Sequence, residues 1–325
     1  MTDRRTFLGV IAGGLLAAPL AAGAQEPGRL HRLGALYASR RDAPHHVAFF
    51  DELRRVGFIL GQNLNVDARG FGLRTERFTG IARELVNAKV DVILCGGDLA
   101  IRAAQQATAT IPILAITDDM VGAGLVRSLA NPGGNTTGVS ILATQLDGKR
   151  QELLIEVVPG VRRMAALADS NTTAPRQLKA LQDAARARGV ELSLHPIAKP
   201  EEIAPAIDAA KNSGAAALNV LASPLLHSNG RVTFERAAVL RLPAMYQWPE
   251  MAEDGGLVAY GPRVVQIYRE LMTRQVVKLL RGANPADLPI EQPTKFELVI
   301  NLKTAKALGL TIPPSLLQRA DQVIE

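Results

Sequence analysis

Short apolar, β-branched runs alternate with amphipathic helical stretches from one end of this chain to the other, and that alternation restricts it to parallel sheet covered by helices on both faces. Leu33 to Tyr37 is the first predicted strand. Val47, Phe49, Phe50, Leu53 and Val56 then recur at helical spacing, and Gly57 supplies a stop. Leu64, Val66 and Ala68 alternate as a strand, Phe78 to Val86 carries a helical stripe, and Val90 to Cys95 is a buried strand opening through Gly96-Gly97-Asp98 into the next helix. Ile113 to Ile116 is the fourth strand, and Gly122 to Ala130 is expected as a short helix closed by the turn Asn131-Pro132-Gly133-Gly134-Asn135.

A second series begins near residue 140. Val139 to Leu142 crosses over, Leu146 to Val158 is helical, and strands follow at Met164 to Ala168, Glu191 to His195, Ala216 to Leu221, Ala244 to Gln247 and Leu257 to Tyr260. A long helix, Val264 to Leu280, leads through Pro285, Pro289 and Pro293 to a last strand, Phe296 to Asn301, and a tail with two short helices around Pro313-Pro314. The expected fold is therefore α/β: two doubly wound parallel-sheet lobes joined by a multi-strand hinge. Each lobe is one or two elements short without the tail, so the chain crosses more than once, and several crossings make a hinge that permits closure. The expected division is 29–140 plus about 265–292 for the first lobe, and 141–264 plus about 293–325 for the second.

The first residues are set apart from this pattern. Arg4-Arg5-Thr6-Phe7-Leu8, a Gly-diluted apolar run from Val10 to Ala22 and the small residues Ala22-Gly23-Ala24 have the order of an export signal, residues 1–24, cleaved after Ala24. The paired arginines point to the twin-arginine route. The apolar run is too short to span about 30 Å of hydrocarbon, and no cysteine stands near the cleavage site to carry a lipid. The expected location is the periplasm.

Composition narrows the function classes. The net charge of +6 raises the question of nucleic acid, but no dense cationic stripe interleaved with aromatics exists; Arg40-Arg41, Arg54-Arg55 and Arg162-Arg163 are scattered among acidic residues. Nucleic acid is not an expected partner. Cys95 is the sole cysteine, so no internal disulfide forms, and its apolar run marks it as a buried thiol. Gly-x-Ser-x-Gly is absent, the adjacent His45 and His46 point apart on a helix and make no chelate, and Gly133 to Gly138 lacks the Lys-Ser/Thr of a phosphate loop. No catalytic residue, metal or cofactor is expected. A DNA-binding helix pair before the first strand, which a regulator needs, has no place because the signal occupies it.

In open parallel sheets, ligands sit beyond the carboxyl ends of the strands. Those loops bring forward Tyr37, Ser39, Gly97, Asp98, Thr117, Asp118, Asp119, Ser140, Asn171, Thr172, Ser223, Tyr246, Trp248 and Tyr260 as candidate ligand-binding residues. Free N–H groups at Gly97-Asp98 and near Ser170-Asn171 suit a carboxylate, and Asp118 or Asp119 suits an amine. Tyr37, Tyr246, Trp248 and Tyr260 fall at or just after strand ends, where they either stack on a flat ligand or fill the lobe interface.

DMVGAGLVRSLANPGGNTTGVS at Asp119 to Ser140 and TKFELVINLKTAKALGLTIPPSLLQRADQVIE from Thr294 onward resemble the ABC_sub_bind family of ABC-transporter solute-binding proteins. Gly57-Phe58 with Gly61-Gln62-Asn63, Lys149 to Leu154 and Tyr260-Gly261-Pro262 match too. The resemblance implies a type I periplasmic-binding fold with a three-stranded hinge, a small-molecule ligand (aromatic amino acids in some members) and an ABC permease and ATPase as partners. The expected protein is a monomer that captures an amino acid or related aromatic or carboxylate compound by lobe closure; a periplasmic sensor without transport stands as the alternative, and behind it an α/β enzyme using the interlobe cleft. One departure is visible: the usual Asp-Pro-Val is here Asp119-Met120-Val121.

Overall fold

A computed structural model describes residues 29–141 and 143–325; the expected signal lies outside these. The first sheet contains β1 (His31–Leu36), β2 (Leu64–Val66), β3 (Val92–Gly96), β4 (Ile113–Thr117) and β5 (Thr136–Ser140), all parallel, in the order β2-β1-β3-β4-β5. Its central strands are near-continuous apolar runs because helices cover both faces; Leu33, Leu36, Ile93, Cys95, Ile113 and Leu114 are fully buried. Around it pack α1 (Pro44–Arg55), α2 (Phe78–Asn87) and α3 (Asp98–Ala107).

The second sheet contains β6 (Arg163–Asp169), β7 (Glu191–Ile197), β8 (Ala217–Val220), β9 (Ala244–Tyr246), β10 (Val258–Gly261), β11 (Glu297–Asn301) and β12 (Gln322–Ile324), in the order β12-β11-β10-β9-β8-β6-β7. Its helices begin with α4 (Ala143–Val157), α5 (Pro175–Ala187), α6 (Ile203–Asn212), α7 (Pro224–Ser228), α8 (Gly230–Val239) and α9 (Pro249–Glu253). All pairings are parallel except β10 with β11. That exception has a topological cause: after β10 the chain leaves for the first lobe and re-enters the second from the gap, so β11 must run the other way.

The chain passes between the lobes three times, between β5 and α4, between β10 and the helical segment from Val264, and on the way into β11. Two passes are stitched together, the Ser140 N–H donating to the Glu291 carbonyl at 2.9 Å and the Glu291 N–H to that of Gly138 at 2.8 Å. The helical segment comprises α10 (Val264–Gln266), a π-helical stretch Ile267–Met272 and α11 (Thr273–Leu280), and it packs on α1 of the first lobe. The tail adds α12 (Leu302–Ala307) and α13 (Pro314–Leu317).

The two-lobe α/β architecture is the one the alternation predicts, and local departures have physical reasons. Residues 122–130 form turns, not a helix, because the Leu125 and Val126 N–H groups both converge on the Met120 carbonyl, so no i→i−4 ladder continues. Val139 belongs to a fifth strand of the first sheet, not only to a crossing. The unpredicted β12 is half-buried throughout and lacks the apolar signature of its neighbours. Among the described residues, no helix is long and apolar enough to cross a membrane.

Candidate functional site

The carboxyl ends of the two sheets face each other across a gap that holds a partly open cavity lined by both lobes. The first lobe contributes Tyr37 and Ser39 beyond β1, Gly97 beyond β3, Thr117 and Asp118 at the end of β4, and His45 from the first turn of α1. From the second come Ser223, Pro224 and His227 around α7 and Trp248 beyond β9; Val264 and Tyr268 enter on the connecting helix. The lobes meet at Gly97, where φ is +84° and an added Cβ would stand 3.1 Å from Pro224 Cγ. Gly97 thus serves twice: it takes a positive-φ turn at the N-terminus of α3, and its missing side chain leaves room for Pro224 of the other lobe.

One wall is aromatic and imidazole-rich. The His45 ring lies 4.7 Å from Tyr268 and 5.9 Å from His227 of the opposite lobe, and His227 stands edge-on to Trp248 at 6.0 Å. Tyr37 packs 4.6 Å from His46 and 5.7 Å from Phe71. Burial pushes His45 down to about 2 and His46 and His227 down to about 4, so all three are neutral at ordinary pH. The adjacent histidines do not point apart as expected but pack ring to ring at 4.3 Å, because both sit in the first helical turn against Tyr268, with His46 Nδ1 2.9 Å from the Arg40 carbonyl and His45 Nε2 3.4 Å from Ser39 Oγ.

The opposite part of the cavity is acidic. Burial drives the Asp118 carboxyl up to about 8; Asp147 and Asp98 add to the rise, and Arg150 opposes it. A carboxylate so poorly compensated gains most from a cation placed beside it. Ser140 holds this loop, its Oγ donating to the Asp118 carbonyl at 3.1 Å and accepting the Met120 N–H at 3.3 Å. The methionine at the family's usual proline position thus supplies a donor that proline lacks. Thr117 Oγ1 donates to Asp98 Oδ1, fixing the first turn of α3.

Of the residues singled out from sequence, Tyr37, Ser39, Gly97, Thr117, Asp118, Ser223 and Trp248 line this one cavity. Asp98 and Ser140 lie directly behind the lining, bonded to Thr117 and to Asp118. The others lie elsewhere. Asp119 accepts the Gly122 N–H in a turn, and Asn171 and Thr172 form the turn after β6, where the Asn171 side chain donates to Asp169 and to the Ala198 carbonyl. Tyr246 is inside β9, 1% exposed, with its ring 5.0 Å from Phe234 of α8. Tyr260 packs towards Phe296 at 6.4 Å. Sequence reasoning missed His45, His227, Val264 and Tyr268. His45 was findable, being the first turn of the helix after β1; Tyr268 arrives on a helix more than two hundred residues downstream of the strand it faces, and no local signal marks it.

A model of the family described as ABC transporter substrate binding protein matches residues 46–324. A tyrosine-binding protein of Clostridioides difficile (strain R20291) is 27% identical over 271 residues, covering 81% of this chain and 75% of its own. Among solved structures, a conserved domain protein of Vibrio cholerae O1 biovar El Tor superposes with a TM-score of 0.81 at 26% identity, over 91% of this chain and 99% of the other. An ABC domain of Streptococcus pneumoniae in complex with L-Trp gives 0.79 at 26% identity, over 91% and 100%. With two α/β lobes, a cavity in the gap between them and a family match over nearly every described residue, the chain belongs to the ABC transporter substrate binding protein family.

Proposed function

We propose that this protein is the periplasmic solute-binding component of an ABC importer, taking an amino acid or a related aromatic or carboxylate compound into the gap and closing on it. The observation that carries the reading is a single cavity walled by both lobes, with the Asp118 carboxyl at one part and uncharged aromatic and imidazole rings at another. Asp118 meets the ligand's ammonium, the α3 N-terminus at Gly97 suits its carboxylate, and the rings take its side chain. The tyrosine-binding relative and the L-Trp-bound neighbour support that ligand class.

Closure is the proposed action, with no bond chemistry. The bodies that move are residues 29–140 plus about 265–292 against 141–264 plus about 293–325. Ligand contacts to both favour the closed state, since only differential affinity shifts such an equilibrium. The protein acts as a monomer, delivers to a permease and ATPase, and reaches the periplasm through the signal ending at Ala24. Calorimetric titration of the mature protein with L-tyrosine and L-tryptophan tests this. Asp118→Asn, isosteric but uncharged, is expected to weaken binding by roughly tenfold or more without altering the fold. Equal affinity in the variant removes Asp118 from the site; no binding of any amino acid removes the ligand class.

A further inference from the structure

We propose that Asp147 and Arg150 are the positioning residues of this site, a buried ion pair that fixes three gap-facing loops of the second lobe, the end of the first crossing and the start of the second as one body. The proposal rests on the reading of the gap as a closing ligand site. The pair is one turn apart on α4, joined at 2.7 Å, with side chains 1% and 0% exposed. Every other ion pair among the described residues has a partner in reach of solvent. Burying both charges is costly, and an apolar pair of similar volume is often no less stable. What the ions supply here is geometry.

Arg150 Nε donates to the Tyr260 carbonyl at 2.7 Å, at the end of β10, and Nη2 lies 3.4 Å from the Gln247 carbonyl, one residue before Trp248. Asp147 accepts from the Gln177 side chain on α5 and from the backbone N–H of Ala222, one residue before Ser223. The loops leaving β8, β9 and β10 are therefore all tied to one helical turn. Gly261 shows how tightly: an added Cβ would lie 2.0 Å from the Gln247 carbonyl oxygen and 3.3 Å from Arg150 Nη2. From Gly261 the chain crosses to the first lobe, and α4 itself begins where the first crossing ends. Neither Asp147 nor Arg150 lines the cavity, so both act through the residues they hold.

Arg150→Lys and the double variant D147N/R150Q test this. A lysine keeps the charge but is a single point donor in place of a planar fork, so it cannot hold the partner carboxylate and both carbonyls together. The double variant removes both charges together, isosterically at Asp147 and with a shorter polar side chain at Arg150, so neither charge is left buried alone and it remains usable if the single change does not fold. Both are measured for melting temperature, for L-tyrosine and L-tryptophan affinity by calorimetry, for off-rate by stopped flow, and for compaction on ligand addition by small-angle scattering. The expected result is a folded protein with affinity reduced about tenfold or more, a faster off-rate and a smaller compaction, with lysine less impaired than the double variant. Wild-type affinity and compaction in either folded variant overturns the proposal, as does a lowered melting temperature with unchanged affinity. If the wild-type protein binds neither ligand, the underlying reading fails and takes this one with it; if the wild type binds and the variants match it, only the positioning role falls.

Discussion

Acid should open this protein, and the effect can be sized from two imidazoles. His45 and His227 project into the same cavity from opposite lobes with their rings 5.9 Å apart. With the lobes as they stand here, burial holds them at about 2 and about 4, against an ordinary 6.5. Separation of the lobes returns each ring to water and towards 6.5. The closed form then binds fewer protons than the open one, so closure is fully favoured above about pH 6.5 and is lost progressively as pH falls below it. Each imidazole that regains its ordinary value lowers affinity about tenfold between pH 7.5 and 5.5, so the pair lowers it about a hundredfold. The other groups do not mimic this. His46 keeps its contacts to Tyr37 and Phe71 within the first lobe. Burial raises Asp118 to about 8, and whatever part of that rise survives beside a bound ammonium takes up a proton on closure, opposite in sign to the imidazoles; the charges of an amino-acid ligand do not change across this range. The assay is calorimetric titration with L-tyrosine from pH 5 to 8 in buffers of differing ionisation enthalpy, which counts protons directly. The variant His45→Asn/His227→Asn should bind with a flat profile. Flat wild-type affinity, or a slope that survives in the double variant, refutes the argument.

Gly97→Ala combines strain at φ +84° with a 3.1 Å approach to Pro224, so it should cost affinity mainly through a reduced scattering change on ligand addition, while thermal stability falls by only about 1 kcal/mol or slightly more. Cys95 is fully buried and burial raises its thiol pKa far above the usual range, so a chromogenic disulfide reagent should leave it untouched in the native protein and modify it once denaturant is added; native reactivity would place it wrongly. Phe58, 1% exposed and edge-on to His31 at 5.3 Å, should cost about 3–5 kcal/mol when cut to alanine, read as a shift in the denaturant midpoint at constant slope.

The strands were legible because a parallel sheet covered on both faces must be apolar on both faces, as in Val92–Gly96 and Ile113–Thr117. β12 escaped because an edge strand needs no such run. At the site, residues just beyond strand ends, such as Tyr37, Thr117, Asp118 and Trp248, were found from position alone, since the carboxyl edge of such a sheet is where loops converge. Tyr246 and Tyr260 were indistinguishable from them by that criterion; the side of the sheet a ring takes depends on what packs beside it, here Phe234 of α8 and Phe296 just before β11. His227 and Tyr268 depend on how two lobes meet, and Arg150 on a fit to carbonyls about a hundred residues away, none of which local spacing encodes.

The antiparallel strand β11 has a further consequence, for assembly. It sits between β10 and β12 yet begins only at Glu297. Until that segment emerges, β10 is an unsatisfied edge with a row of bare peptide groups, a template for mispairing with another chain. The last tenth of the polypeptide therefore seals a surface exposed throughout synthesis, and a truncation just before it should aggregate rather than persist as a smaller soluble body.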